Sequence, residues 1–346
     1  MSVAKKSMPY VRLGKSGLKV SKIILGCMSY GHKGWREWVI DDQEEVSKHI
    51  KYAYDHGIQT FDTANMYSNG CSEVMLGKAI KELELPREEL VILTKVWHPL
   101  APKFGMDVTL ASAADHGIIN QKGLNRKHIF DSIKNSLERL QLDYVDVLQC
   151  HRFDYDTPIE ETMQALHDVV QAGYARYIGM SSCHAYQFHA MQNYAIQHKL
   201  TPFISMQNHH SLVYREEERE MFPTLKMFGV GAIPWSPLGR GILTRPLSAQ
   251  TKRGETDAAA GPYKTWAGTA DVVTRVEELA GKKGVSMAQV ALAWSLAKDD
   301  VSAPIVGTTG LKNLEELIDA LDVELTPDEI KYLEEAYKPI AVYGHS

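Results

Sequence analysis

The sequence predicts an α/β protein. Eight short apolar runs alternate with amphipathic helical stretches, a pattern that favours a parallel sheet with helical crossovers and is best satisfied by a (β/α)8 TIM barrel. Two further observations favour closure over an open, doubly wound sheet. Eight such units in about 250 residues is the usual extent of a closed barrel, and the surplus here sits in two insertions. The glycine-rich phosphate loop that opens many doubly wound sheets is missing after the first barrel strand, where the chain reads ILGCMSYG rather than GxGxxG. The chain has 346 residues and neither a low-complexity tract nor a linker, so one domain is expected over 1–346.

Ahead of the barrel, residues 10–13 and 18–20 flank a GKSG turn and read as a β-hairpin. The run 23–26 ends at Gly26 and reads as the buried first strand. A helix over about 42–56 carries Val46, Ile50 and Ala53 on one face, with Gly57 as its stop. Strand 60–62 leads into a helix over 72–83. VILTK (91–95) is the third strand, and Ile129, Ile133, Leu137 and Leu140 mark the next helix. Strand 145–150 precedes a helix bearing Ile159, Met163, Leu166 and Val170, closed by Gly173. Strand 177–180, helix 185–198, strand 204–206, a charged helix over 215–228 and strand 231–234 continue the alternation. Helices near 272–280 and 287–297 precede the eighth strand, 303–306, and helices near 311–320 and 328–337 finish the chain.

The long loops, 97–125 after the third strand and 238–271 after the seventh, fall on the C-terminal rim, where barrels bind ligands. Phe104 lies in the first of them, and we expect Trp35, Trp97, His98, Phe153, Tyr263 and Trp266 to wall a pocket for an apolar or aromatic substrate. The same rings could equally serve to tack the loops to the rim.

Composition narrows the partners. A net charge of -5 with interspersed signs leaves no polybasic run for nucleic acid or anionic membrane. No apolar run approaches the ~20 residues of a membrane span. The N-terminal stretch lacks the apolar core of a signal peptide, so a soluble, cytoplasmic protein is expected. Cys27, Cys71, Cys150 and Cys183 are widely separated and form no CxxC pair, which argues against both a disulfide framework and a metal site.

The chemistry is concentrated at three strand ends. FDTANMY supplies Asp62 and Tyr67, VILTK ends in Lys95, and YVDVLQCH ends in His151. A tyrosine ionises near ~10; an ammonium beside it stabilises the phenolate and lowers that value, and a carboxylate can hold the ammonium in place. Tyr67 as proton donor, Lys95 as its electrostatic partner, Asp62 as the anchor and His151 as a hydrogen-bonding group for a carbonyl form one coherent set. Each has a plain alternative: a loop cap for Asp62, a rim aromatic for Tyr67, a solvated strand end for Lys95, a core histidine for His151. Their shared position at C-terminal strand ends favours the joint reading.

The run FDTANMYSNGCSEVMLGKAI resembles the aldo-keto reductase signature, D-T-A-x-x-Y followed by G-x-S-E-x-x-L-G. VILTK, LQCHRFD, GMSSC, QNHHSLVYRE and WSPLGRGIL are similar to the same family's later segments, so the likeness runs from about Val11 to Glu335. The pattern from PIVGTT through YLEEAYKP to GHS looks most like the fungal branch of aryl-alcohol dehydrogenases and versiconal hemiacetal acetate reductases. The resemblance implies an NADPH-dependent reductase of aldehydes or ketones with Asp62, Tyr67, Lys95 and His151 as its tetrad.

By the same likeness the nicotinamide stacks on Trp235, with Ser181, Ser182 and Gln207 holding its carboxamide and Gly26, Cys27, Met28 and Asp62 beside it. Ser182 stands where the family usually has Asn. Ser236, Pro237, Leu238, Gly239, Arg240 and Gly241 take the pyrophosphate. Ile305, Gly307, Thr308, Thr309, Lys312 and Glu316 take the adenosine end, where Lys312 is the only cation and Leu317 replaces an expected Asn. A second reading is a cofactor-binding redox sensor, similar to the potassium-channel β subunits that share this barrel.

Overall fold

A computed structural model of the protein describes residues 8–106, 108–249, 256–257 and 260–345; the first seven residues and part of the loop expected over 238–271 lie outside it. Strands β1 (Tyr10–Arg12) and β2 (Lys19–Ser21) pair antiparallel as the expected hairpin. Eight parallel strands follow: β3 (Ile24–Gly26), β4 (Thr60–Asp62), β5 (Val91–Val96), β6 (Val145–Cys150), β7 (Ala175–Ser181), β8 (Phe203–Gln207), β9 (Gly231–Ala232) and β10 (Ile305–Val306). They hydrogen-bond in the order β10-β3-β4-β5-β6-β7-β8-β9. Parallel bridges from Ala232 to Val301 and from Trp235 to Ile305 join the two ends, closing the (β/α)8 barrel.

The barrel is filled from below. Ile24, Leu93, Val147 and Ile233 point into its interior, and Leu13 and Val20 of the hairpin pack against them as a plug. Because side chains alternate along a strand, the residues two places beyond those in β5 and β6, Lys95 and Gln149, point inward one layer higher. Phe61, Ile92, Val96, Leu148 and Cys150 point the other way, into the core shared with the helices.

The α-helices that lie wholly within the described residues are α1 (Gln43–Asp55), α2 (Cys71–Glu82), α3 (Arg126–Leu140), α4 (Ile159–Gln171), α5 (Ala185–Gln197), α6 (Met221–Phe228), α7 (Gly261–Thr265), α8 (Thr269–Lys283), α9 (Met287–Ala297), α10 (Leu311–Asp319) and α11 (Pro327–Glu334). Their starts follow local chemistry. Asp42 accepts from the amides of Glu44 and Glu45, Asn125 from that of His128, and Thr326 and Glu329 form a reciprocal box at α11.

The charged helix expected over 215–228 is split: a 3-10 turn, Glu216–Glu218, precedes α6. Its glutamates do not face water. Glu216 accepts from Tyr337 Oη at 2.6 Å and the Ile340 amide at 3.1 Å, and buried Glu217 accepts from His345 Nε2 at 2.6 Å. The backbone leaves helical geometry at Glu220, with φ −131° and ψ −38°, which separates this turn from α6. The same contacts end α11 before Tyr337, three residues short of the expected limit.

Candidate active site

The upper ends of the strands open into a cavity of about 1080 Å³, at the top of the ~300–1,000 Å³ range of small-molecule sites. Asp62, Tyr67 and His151 line it, and Lys95 lies beneath them, fully buried. Lys95 Nζ donates to Asp62 Oδ2 at 2.6 Å, to the Thr63 carbonyl at 2.8 Å and to Tyr67 Oη at 3.2 Å. An ammonium has three donors, and all are used. Asp62 Oδ1 accepts from the amides of Gln149 at 3.0 Å and Gln207 at 2.8 Å. A buried ion pair is tolerated when its remaining lone pairs are satisfied in this way. Gln149 was not foreseen, although it lies two residues before His151 and so on the same face of the strand.

Burial and neighbours decide the protonation states. For Lys95, burial pulls the pKa down, but Asp62 and Tyr67 more than offset it and the net shift is upward, so the group stays an ammonium. For Tyr67 the expected lowering is overridden: burial raises the phenol pKa more than Lys95 and Arg152 lower it. His151 is held well below its ordinary value by burial, then by His98, Arg152 and Lys95. His98 falls to about 3 through burial and Arg152. The rings of Tyr67 and His151 meet edge-on with centroids 5.9 Å apart, and His151 Nδ1 is buried without a hydrogen-bond partner among the described residues.

Tyr67 is aimed by an unusual backbone. Ser68, Asn69 and Gly70 have successive positive φ values of 50°, 54° and 96°, a conformation that costs L-residues of the first two kinds free energy. Side-chain bonds hold it. Ser68 Oγ accepts from the His32 amide at 3.1 Å. Asn69 Nδ2 donates to the carbonyls of Lys103, Phe104 and Met106 at 2.6–3.1 Å, and its Oδ1 accepts from the Ala101 amide at 3.1 Å. At Gly70 a Cβ would sit 2.6 Å from Arg139 Cδ.

The sequence pattern of the Aldo/keto reductase family matches residues 22–338. A Schizosaccharomyces pombe protein provisionally named an aryl-alcohol dehydrogenase is 50% identical over 347 residues, covering 97% of each chain. Versiconal hemiacetal acetate reductase of Aspergillus parasiticus is 48% identical, over 97% of this chain and 99% of that one. This chain belongs to the aldo/keto reductase family. It is accordingly an oxidoreductase, and members of the family generally use nicotinamide cofactors.

Within this aldo/keto reductase, part of the G-x-S-E-x-x-L-G stretch does architectural work. Ser72 Oγ donates to the Cys27 carbonyl at 2.8 Å, and buried Glu73 accepts from Thr94 Oγ1 at 2.5 Å and Arg139 Nε at 2.6 Å. At Gly77 a Cβ would lie 2.4 Å from the Leu140 carbonyl oxygen, so only glycine lets α2 pass the end of α3 this closely.

The residues expected at the cofactor divide. Gly26, Met28, Ser181 and Gln207 line the cavity, as do Trp235, Ser236, Pro237, Leu238, Gly239, Arg240 and Gly241. Ile305, Gly307, Thr308, Thr309 and Glu316 line its far end, together with Asn313 and Leu317. Three do not reach the wall. Cys27 is fully buried beneath it, Ser182 is fully buried with its Oγ accepting the Trp235 indole N–H at 3.0 Å, and Lys312 is exposed outside it.

These residues fit a nicotinamide dinucleotide. Trp235 forms part of the wall, backed by His209 at 4.2 Å and 11° and, behind that, by Tyr214. Ser181 Oγ spends its proton on the Gln207 carbonyl at 2.6 Å and keeps lone pairs for an amide donor. Positive φ at Ser236 and Arg240 curls the loop that follows, giving concave backbone of the kind that receives phosphate.

The aromatic wall comes from an unexpected place. Trp35 and His98 line the cavity, but Trp97, Phe153, Tyr263 and Trp266 do not. Trp97 and Phe153 belong to the main core, while Tyr263 donates no ring surface to the cavity because its hydroxyl bonds His209 Nε2 at 2.9 Å and Trp266 packs on it. Trp38, Met66 and Met28 join Trp35 instead, clustered with Tyr67. The segment after the first barrel strand therefore supplies both indole rings of the wall, Met66 comes from the loop after the second, and the long loops contribute His98 and the apolar side chains of Leu238, Ile242 and Leu247.

Proposed function

We propose that the protein is an NADPH-dependent reductase of aldehydes or ketones, aryl or medium-chain, working reversibly with the alcohol. The observation that carries this is the single ammonium of Lys95 bonded to both Asp62 and Tyr67 beside His151. A reduced nicotinamide bound along Trp235 would supply the hydride. Tyr67 Oη hands its proton to the carbonyl oxygen, and Lys95, fixed in place by Asp62 and the Thr63 carbonyl, stabilises the phenolate so formed. Neutral His151 hydrogen-bonds the same oxygen and orients the carbonyl. Trp35, Trp38 and Met66 exclude water and favour an apolar substrate body. The aryl preference draws further support from the name of the Schizosaccharomyces pombe relative, an aryl-alcohol dehydrogenase.

For the cofactor, Thr308 and its neighbours would receive the 2′-phosphate, with Lys312 as the nearby cation. Lys312→Ala should narrow the discrimination between NADPH and NADH, and unchanged discrimination would remove it from that role. The widely spaced free cysteines suit a reducing compartment, and we place the enzyme in the cytoplasm. The decisive assay is nicotinamide absorbance decay with purified protein and an aromatic aldehyde, NADPH and NADH side by side. Rapid loss with NADPH supports the reductase; tight cofactor binding without turnover would replace it with a redox sensor.

A further inference from the structure

Arg152 immediately follows His151 and lines the cavity. Among the described residues it has no carboxylate partner; its Nη1 donates to the His151 carbonyl at 2.5 Å. Its guanidinium carbon stands 6.0 Å from the centre of the Trp235 ring. Three other buried or part-buried cations are paired with acids: Lys95 with Asp62, Arg240 with Asp257, and Arg215 with Glu218 and Glu334; Arg245, further along the cavity, bonds Thr244 Oγ1. The neighbouring acid in sequence, Asp154, is turned away to the Leu124 amide and the Thr157 hydroxyl.

A part-buried guanidinium without an anion is costly, and a group with five fixed donors leaves several unused after one bond to a carbonyl. Burial draws its pKa down to about 10, so it remains a cation at neutral pH. Its position selects among possible anions. The loop expected to meet pyrophosphate has its own guanidinium in Arg240, held by Asp257, whereas Arg152 adjoins His151 in sequence and acts electrostatically on Tyr67.

We propose that Arg152 is a specificity-determining residue that receives an anionic group, a carboxylate foremost, carried by the carbonyl substrate itself. This rests on the reductase reading and narrows it: the substrate is amphipathic, with an apolar or aryl body against Trp35, Trp38 and Met66 and an acidic substituent directed to Arg152. Planar, bidentate carboxylate recognition is what a guanidinium does best.

The test compares 4-carboxybenzaldehyde with its uncharged methyl ester, using full-length protein with its nicotinamide cofactor. Wild type should favour the acid. In Arg152→Gln the ratio of kcat/KM for acid over ester should fall on the order of tenfold to a hundredfold, chiefly through KM, and Arg152→Lys should keep part of the preference. Added salt should lower the wild-type ratio. An equal ratio in wild type and both variants overturns the proposal. So does weaker cofactor binding in Arg152→Gln with the ratio unmoved, which would assign the guanidinium to a cofactor phosphate. If wild type turns over neither aldehyde, the reductase reading fails separately. Thermal protection of the cofactor-bound protein by benzoate, absent with benzamide, lost in Arg152→Gln and partly kept in Arg152→Lys, then still supports the anion site, and equal protection in wild type and Arg152→Gln sinks it.

Discussion

At the scale of single residues, the chemistry depends on where protons sit. Tyr67→Phe removes the proposed donor and leaves the Lys95–Asp62 pair intact, so turnover should drop by roughly 10²–10⁴-fold with cofactor affinity near normal. A variant that keeps most of its kcat would take Tyr67 out of the mechanism. Lys95→Met is a harsher change, because it leaves the Asp62 carboxylate buried without its cation at a cost of roughly 3–5 kcal/mol. Its activity loss should therefore come with a lowered Tm, which calorimetry would show. The pH profile follows from the directions of the shifts. His151 is depressed far below its usual range and Tyr67 is raised, so neither changes charge between pH 6 and 8. The kcat/KM for reduction should stay flat there, and a limb near pH 6.5 would mean that His151 titrates after all. These four residues were legible in the sequence because strand ends could be counted. The direction of the Tyr67 shift was not, since burial is set by what closes over the phenol.

At the scale of elements, the segment from Ser68 to Gly70 fixes the backbone that follows Tyr67, the proposed proton donor. Asn69 ties this left-handed turn to the 101–106 loop through bonds in both directions. Asn69→Ala should leave the buried Ala101 amide and three part-buried loop carbonyls short of a partner and destabilise the protein by about 1–3 kcal/mol. We also expect greater protease sensitivity in that loop. Limited proteolysis beside a denaturation curve would test both, and an unaltered loop would mean that Asn69 merely tolerates the turn. The strand-and-helix alternation was readable from periodicity alone. The break between Glu218 and α6 was not, for a run of glutamates looks solvated until partners distant in sequence, Tyr337 and His345, are seen to approach it.

At the scale of the whole molecule, several histidines are buried neutral. His98, His128, His151 and His209 all have depressed pKa values in the fold, each mainly through burial. An unfolded chain would protonate them below about 6.5, so below that pH the unfolded state binds more protons and stability falls as acid is added. Each such group contributes a slope of at most about 1.4 kcal/mol per pH unit. Glu218, held down to about 2 as burial is outweighed by His210 and Arg215, adds to the loss at the acid end. Urea midpoints should decline steadily from pH 7 to pH 5; a rise over that interval would contradict the neutral-histidine core. The sequence by itself determined the barrel, the order of its elements and the four residues at the strand ends, because period and turn chemistry are local properties of the chain. Tertiary structure alone decided which aromatics face the cavity and which glutamine anchors Asp62. It also decided that Ser182 supports Trp235 and that Arg152 stands without an acid among the described residues. Those outcomes turn on which side chains, far apart along the chain, compete for the same buried space and the same hydrogen bonds.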